Sequence, residues 1–312
     1  MKFAFVFPGQ GSQSVGMMKG YADLPIVQET FSEASDILHD DFWAMVNNGP
    51  PDILNLTTNT QPLMLMSGVA IYRAWKSLGG PAPAFLAGHS LGEYTALVVS
   101  GVMTYKEALS IVRFRGEVMQ QAVPEGIGKM AAILGLNDDD IRAICNEITE
   151  ESEEGSLEPA NFNSPGQVVI AGHKNAVLHG IELAKKKGAK MAVLLPMSVP
   201  SHCSLMAPAA KKMQQQLEMI TLQTPSIPVI HNADVKQHQN NTDIRNILVK
   251  QLCIPVRWTD TINSFTAEDV THIAECGPGK VLTGLNKRIN KNLKNIALTD
   301  TNTLRQTISI LV

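Results

Sequence analysis

The pentapeptide Gly88-His89-Ser90-Leu91-Gly92 sets one serine between an apolar run at 84–87 and a helix-like stretch at 93–100. A nucleophilic serine needs that setting. Small residues two before and two after it let the chain turn sharply and lift the hydroxyl clear of a sheet. The N–H groups opening the next helix then face the same point and can hold an anion forming on a carbonyl oxygen. The pentapeptide alone is common, and a tight β-α turn around a buried serine would use the same residues. Other residues capable of chemistry lie far away in sequence. His202, in Pro200-Ser201-His202, is a candidate base that residue type alone leaves open between structure and catalysis. Cys203 beside it makes a poor partner, because adjacent residues on an extended chain point to opposite faces. Arg113 and Arg115 are two cations on one predicted helix, and sequence does not choose between them.

The elements that must position these groups follow from periodicity and stop signals. Residues 2–7 form an apolar strand that opens into Pro8-Gly9-Gln10-Gly11-Ser12-Gln13. No Lys-Ser/Thr follows at Walker spacing, and G-x-G-x-x-G is met only in part by Gly9, Gly11 and Ser14, which argues against a nucleotide fingerprint. A helix is expected over 61–78, ending at Gly79-Gly80-Pro81, and another over 104–121. Residues 127–198 read differently. A strand at 129–136, a helix from Asn137 to about 149, strands near 158–163 and 167–171, a helix at 174–187 and a strand at 191–195 give the order β-α-β-β-α-β. Beyond Pro200 come a helix near 208–219, strands near 228–231 and 271–275, and a turn at Gly277-Pro278-Gly279. The expected fold is α/β. A large α/β-hydrolase-like domain with a parallel sheet (1–126 and 199–312) carries an inserted ferredoxin-like small domain (127–198).

A chain of 312 residues, 44% hydrophobic and 18% charged, supplies an ample core. The amino terminus carries too short an apolar run for a signal peptide, and no stretch is long enough for a bilayer, so a cytoplasmic location is expected and no membrane partner. Four widely spaced cysteines form no C-x-x-C pair and suggest neither a disulfide framework nor a zinc site. A net charge of −3 argues against a general nucleic-acid binder. The charge is uneven. Between Gly277 and Thr299 stand Lys280, Lys287, Arg288, Lys291 and Lys294 with no acid. Such a run reads as a solvated face, or as a docking patch for phosphates or an acidic partner. The acidic stretch Glu147, Glu150, Glu151, Glu153 and Glu154 reads as a solvated helix end and loop.

Six motifs then occur together and in order: Phe7-Pro8-Gly9-Gln10-Gly11-Ser12-Gln13, Gly88-His89-Ser90-Leu91-Gly92-Glu93, Arg115-Gly116, Asn163-Ser164-Pro165-Gly166-Gln167, Pro200-Ser201-His202 and Gly277-Pro278-Gly279. Over nearly its whole length the chain resembles the bacterial malonyl-coenzyme A:acyl carrier protein transacylases of type II fatty-acid synthesis. That resemblance implies ping-pong transfer through an acyl-Ser90 intermediate. His202 would be base and then acid, and the backbone N–H groups of Gln10 and Leu91 the oxyanion hole. Arg115 would take the malonyl carboxylate, with Arg113 solvated or structural. No acidic third member stands at a matching position, and the resemblance implies that the backbone carbonyl of Gln251 orients His202. A dyad suffices for a thioester, whose leaving group is better than an amide's. Malonyl-coenzyme A and an acidic acyl carrier protein are the implied partners, with Lys190, Lys287 and Arg288 as candidates for docking. No cofactor or metal and a monomeric state are expected, and His231 and Cys276 are given no catalytic role. Two rivals use the same pentapeptide differently: a serine-dependent thioesterase or lipase-like hydrolase, and a carrier-binding module without catalysis.

Overall fold

In this computed structural model, residues 1–151, 155–197 and 199–312 are described. Among the described residues nine strands make two sheets. β1 (Phe3–Phe7), β2 (Phe85–Gly88), β7 (Val229–Ile230), β8 (His272–Glu275) and β9 (Lys294–Ala297) form a parallel sheet in the order β7-β2-β1-β8-β9. β3 (Gly128–Leu134), β4 (Leu157–Ser164), β5 (Gln167–His173) and β6 (Met191–Leu194) form an antiparallel sheet in the order β4-β5-β3-β6. The architecture is the expected one, hydrolase-like with an inserted ferredoxin-like unit.

β1 is buried on both faces, as the central strand of a covered parallel sheet must be. Phe3, Phe5 and Phe7 point one way, with Phe5 edge-on to Trp75 of the helix Thr57–Ser77 at 5.0 Å between centroids. Ala4 and Val6 point the other way, into a cluster with Trp258 and Phe265. β2 lies beside β1 with Phe7 opposite Gly88. The loop after β1 and the turn after β2 therefore leave the sheet side by side, which brings Gln10 to Ser90.

The small sheet sorts its side chains with the period of a strand. Ala131, Ile133, Val168 and Ile170 face the helices Asp138–Glu151 and Lys174–Lys186, meeting Ile141, Ile144 and Val177. Met130, Val169 and Ala171 face the other way, into a cluster that includes Cys203 of the large unit. β4 is also tied to the large unit by main-chain bonds, Phe162 N–H to Val256 O and Val256 N–H to Ala160 O, both 2.9 Å.

The helices Pro25–Leu38, Phe42–Asn48, Asn241–Gln251, Trp258–Ala267, Val281–Ile289 and Thr301–Leu311 and the strand β9 were not among the sequence expectations. Several start at short-range caps, with Asp41, Asn240 and Asp300 accepting the N–H three residues on. Of the acidic stretch, Glu147 pairs with Lys187 at 3.2 Å and Glu150 is exposed, while Glu153 and Glu154 lie outside the described residues. Among the described residues no helix is long and apolar enough to cross a membrane.

Candidate active site

Ser90 sits at the turn from β2 into the helix Gly92–Val99 with φ 51°, a left-handed conformation that a non-glycine residue holds only where its surroundings impose it. Two glycines make that turn possible through close approach rather than positive φ. A Cβ on Gly88 would stand 1.8 Å from the Gly92 carbonyl carbon, and one on Gly92 would stand 2.0 Å from the Phe7 carbonyl oxygen. Both contacts are with main chain, which has no rotamer to retreat into. Gly92→Ala should cost roughly 3 kcal/mol or more of folding stability. Chemical denaturation reads this directly, and a wild-type midpoint would contradict the tight packing of the turn.

His202 follows the Val199-Pro200-Ser201 turn and also has positive φ, 62°. Its Nδ1 lies 2.7 Å from the Gln251 carbonyl oxygen, which can only accept, so Nδ1 carries the proton. Nε2 is then the free acceptor, 2.8 Å from Ser90 Oγ. Burial pushes the His202 pKa down to about 3, assisted by the nearby Arg115 cation and opposed by the bond to Gln251.

Arg115 lies on the buried face of the helix Tyr105–Ala122, which Thr104 and Glu107 cap reciprocally. Two residues away, Arg113 is turned about 200° around the axis. It pairs there with Asp40 at 3.0 Å and Glu117 at 3.5 Å, at the molecule's surface. The structure thus separates two arginines that sequence could not. Arg115 is 2% exposed. Nη1 donates to Gln61 Oε1 at 2.8 Å, and Nη2 to Gln251 Oε1 at 3.2 Å and Ser90 Oγ at 3.4 Å. Nε has no partner among the described residues, and no carboxylate touches the guanidinium. A buried cation without a counter-ion in contact is costly, and a small anionic group beside Ser90 would relieve the cost.

These groups open onto one cavity of about 510 Å³ between the two units, lined by Gln10, Ser90, Leu91, Arg115 and His202 on one side and by Met130, Asn163 and Val169 of the small sheet on the other. His89 Nε2–H donates to Asn163 Oδ1 at 2.8 Å across the gap, so the residue before the serine ties the two walls together. The main-chain N–H groups of Gln10 and Leu91 meet no acceptor among the described residues, and both residues line the same cavity as Ser90. At the mouth, Arg288 donates to Gln167 Oε1 at 2.6 Å. Lys190 is exposed at the same end of the small sheet, where Gly135 N–H bonds Gly166 O, and Lys287 is exposed beside Arg288.

Cys203 Sγ donates to Pro200 O, and burial pushes its thiol up to about 12, which fits its exclusion as a nucleophile. All four cysteines are free, and among the described residues no group of three or more His, Cys, Asp or Glu is placed to hold a metal ion. Sequence reasoning missed the residues behind the site: Glu93, Asn232, Gln61 and the side chain of Gln251. His231, given no catalytic role, bonds Glu93 at 2.7 Å in the interior.

Comparison with known proteins fits this geometry. The acyl transferase domain family matches residues 4–299. The chain is 54% identical over 301 residues to the malonyl CoA-acyl carrier protein transacylase of Escherichia coli (strain K12), covering 96% of each. It is 43% identical over 311 residues to the one from Bacillus subtilis (strain 168), covering 99% of this chain and 97% of that one. Among solved structures, the malonyl CoA-acyl carrier protein transacylase from Coxiella burnetii superposes with a TM-score of 0.97 at 46% identity, over 100% of this chain and 98% of that one. A malonyl-transacylase in complex with its type II PKS acyl-carrier protein also gives 0.97, at 49% identity over 99% and 100%. By sequence, by fold and by a serine held at the mouth of a β-α turn, this chain is an acyltransferase and belongs to the malonyl CoA-acyl carrier protein transacylase family.

Proposed function

We propose that this protein moves a malonyl group from malonyl-coenzyme A to the phosphopantetheine thiol of acyl carrier protein, by a ping-pong route through malonyl-Ser90. The observation that carries the reading is the convergence of Ser90 Oγ, His202 Nε2 and Arg115 Nη2 within hydrogen-bonding range at the floor of one cavity. Ser90 Oγ attacks the thioester carbonyl while His202 Nε2 takes its proton. The carbonyl oxygen becomes an anion between the N–H groups of Gln10 and Leu91. Collapse breaks the C–S bond, and the departing thiolate takes the proton back from His202. The carrier's thiol then runs the same steps in reverse. Bidentate pairing of the malonyl carboxylate with Arg115 fixes which acyl group is accepted and holds its carbonyl against Ser90. The cations Lys287 and Arg288, the latter bonded to Gln167 of the cavity lining, and Lys190 at the neighbouring end of the small sheet suit the phosphates of coenzyme A and an acidic carrier.

Arg115→Ala should lower malonyl transfer by about 10²-fold, the scale of a lost charge-assisted pair. Acetyl transfer should fall little or rise. Steady-state rates with both donors measure this. An equal loss for both acyl groups would remove Arg115 from the selectivity assignment. A hydrolase would have no use for a buried guanidinium at the acyl end of the site, and it would release free acid rather than hold an acyl-enzyme.

A further inference from the structure

Behind the cavity, outside its lining, a fully buried carboxylate is surrounded by donors. Glu93 stands in the first turn after the serine and is 0% exposed. Oε1 faces His231 Nδ1 at 2.7 Å, and Oε2 accepts the Asn232 backbone N–H at 3.0 Å and Gln251 Nε2 at 2.8 Å. Both of the latter partners lead to the site. The Asn232 side chain spans the turn, donating from Nδ2 to Gly88 O at 2.5 Å and accepting the Ser90 N–H at 2.6 Å. It is therefore an internal clamp on the strained serine. Gln251 bonds all three functional residues, the His202 and Arg115 side chains and the Ser90 main chain. Its backbone oxygen holds His202, its Oε1 accepts from Arg115, and its Nε2 donates to Ser90 O at 3.1 Å as well as to Glu93.

The direction of the Gln251 amide decides what Arg115 meets. With Nε2 held by Glu93, Oε1 must face the guanidinium. If the amide turned over, its two hydrogens would face the five donors of an arginine and drive the guanidinium away. The group at this position must present one oxygen that accepts from both Gln251 Nε2 and the Asn232 N–H, as Glu93 Oε2 does. A buried network in which every member is satisfied defines one arrangement, and removing its hub leaves several donors unpaired.

We propose that Glu93 is a positioning residue for acyl transfer, its carboxylate setting the Gln251 amide and the Asn232 clamp and through them the mutual placement of Ser90, His202 and Arg115. This deepens the transfer reading above and rests on it. The role is distinct from space-filling because it acts on acyl selectivity as well as rate.

The test is single-turnover acylation of the full chain by malonyl-coenzyme A and by acetyl-coenzyme A, with thermal melting as the check on folding. Glu93→Ala should acylate about 10²-fold more slowly at saturating malonyl-coenzyme A, the scale of a small misplacement in the site. Its half-saturating donor concentration should stay within about 3-fold, since no contact with the donor is removed. Its malonyl-to-acetyl ratio should narrow by about 10-fold as Arg115 loses its acceptor. Glu93→Gln should stay within about 10-fold of wild type with the ratio kept, because its oxygen can take both donors while its NH₂ faces His231 Nδ1, which accepts in the other tautomer. Asn232→Asp, which sets an acceptor against Gly88 O, should slow acylation without changing the ratio.

A folded Glu93→Ala with wild-type rate and ratio overturns the proposal. So does equal loss in Glu93→Ala and Glu93→Gln with the ratio unchanged, which is what a merely structural role gives. Where Glu93→Ala does not fold, Glu93→Asp, one methylene short of Gln251, should show the narrowed ratio, and a wild-type ratio there overturns the proposal equally. A wild type that takes no acyl group from malonyl-coenzyme A overturns the transfer reading and this proposal with it, whereas the variant outcomes bear on Glu93 alone.

Discussion

Replacing Ser90 by alanine should end acyl transfer, lowering kcat/KM by about 10⁴-fold or more, because members of a nucleophile–base pair act as a unit. The nearest alternatives by sequence, Cys203 and Ser201, are not placed to substitute. Cys203 is one residue from the base, but its sulfur points at Pro200 O and burial holds its thiol protonated, with the pKa near 12. Ser201 lines the same cavity without a base, since His202 Nε2 is directed at Ser90. The variant should fold as wild type does, because the turn is fixed by Gly88, Gly92 and Asn232 rather than by the hydroxyl. It should therefore still bind malonyl-coenzyme A and yet take up no acyl group. Transfer at even one-hundredth of the wild-type rate would mean that another group is the nucleophile.

Replacing His202 by alanine should cost about 10³-fold in acylation, within the range measured for general-base removal. The more telling expectation is the pH profile of the wild type. Burial, with the Arg115 charge adding to it, disfavours the protonated imidazole and places its pKa at about 3, far below the ordinary 6.5. The neutral base is then fully populated through the mildly acidic range. The rate of Ser90 acylation should accordingly change by less than about 2-fold between roughly pH 5 and 7. A limb falling away near the ordinary histidine pKa would contradict the effect of His202's burial described here. Stability carries the same sign. The unfolded chain binds a proton on this residue that the folded chain refuses, so its contribution is complete above the ordinary pKa of 6.5 and is lost progressively as pH falls toward 3.

Much of the frame was legible because it is written in local chemistry. Phe3-Ala4-Phe5-Val6-Phe7 can only be a strand covered on both faces, and the glycines around Ser90 announce a turn in which backbone passes against backbone. The order of strands and helices over 127–198 was also readable, since each β-strand alternates and each helix has one apolar face. Helices in the last third of the chain were harder. Their signals are single cap residues such as Asn240 with Asp243 or Asp300 with Thr303, easily lost among polar loops, and β9 is a short edge strand carrying a lysine.

The site divides along the same line. Ser90, His202 and Arg115 carry distinctive chemistry and stood out by type and by family resemblance. Arg115 was distinguishable from Arg113 only by resemblance, and in three dimensions the difference is a matter of helix face. Arg113 has two carboxylates within 4 Å at the surface, and Arg115 has amides in the interior. The network behind the site left no comparable trace. Asn232 and Gln251 stand 139 and 158 residues beyond Glu93, and no spacing rule connects a buried glutamate to an amide on a distant helix end. One signal was available. A glutamate in the sequence Gly92-Glu93-Tyr94-Thr95-Ala96-Leu97 sits on a helix whose neighbours are nearly all buried, and a carboxylate there needs partners.

The central claim is that Ser90 holds a malonyl group between donor and acceptor. It is tested most directly by the intact mass of the protein after brief exposure to malonyl-coenzyme A without carrier, beside acetyl-coenzyme A and the Ser90→Ala variant. The expected result is a malonyl-sized gain on the wild type alone, persisting until carrier protein is added and then discharged onto its thiol. Rapid release of free coenzyme A with no adduct on the protein would contradict it and identify a hydrolase instead.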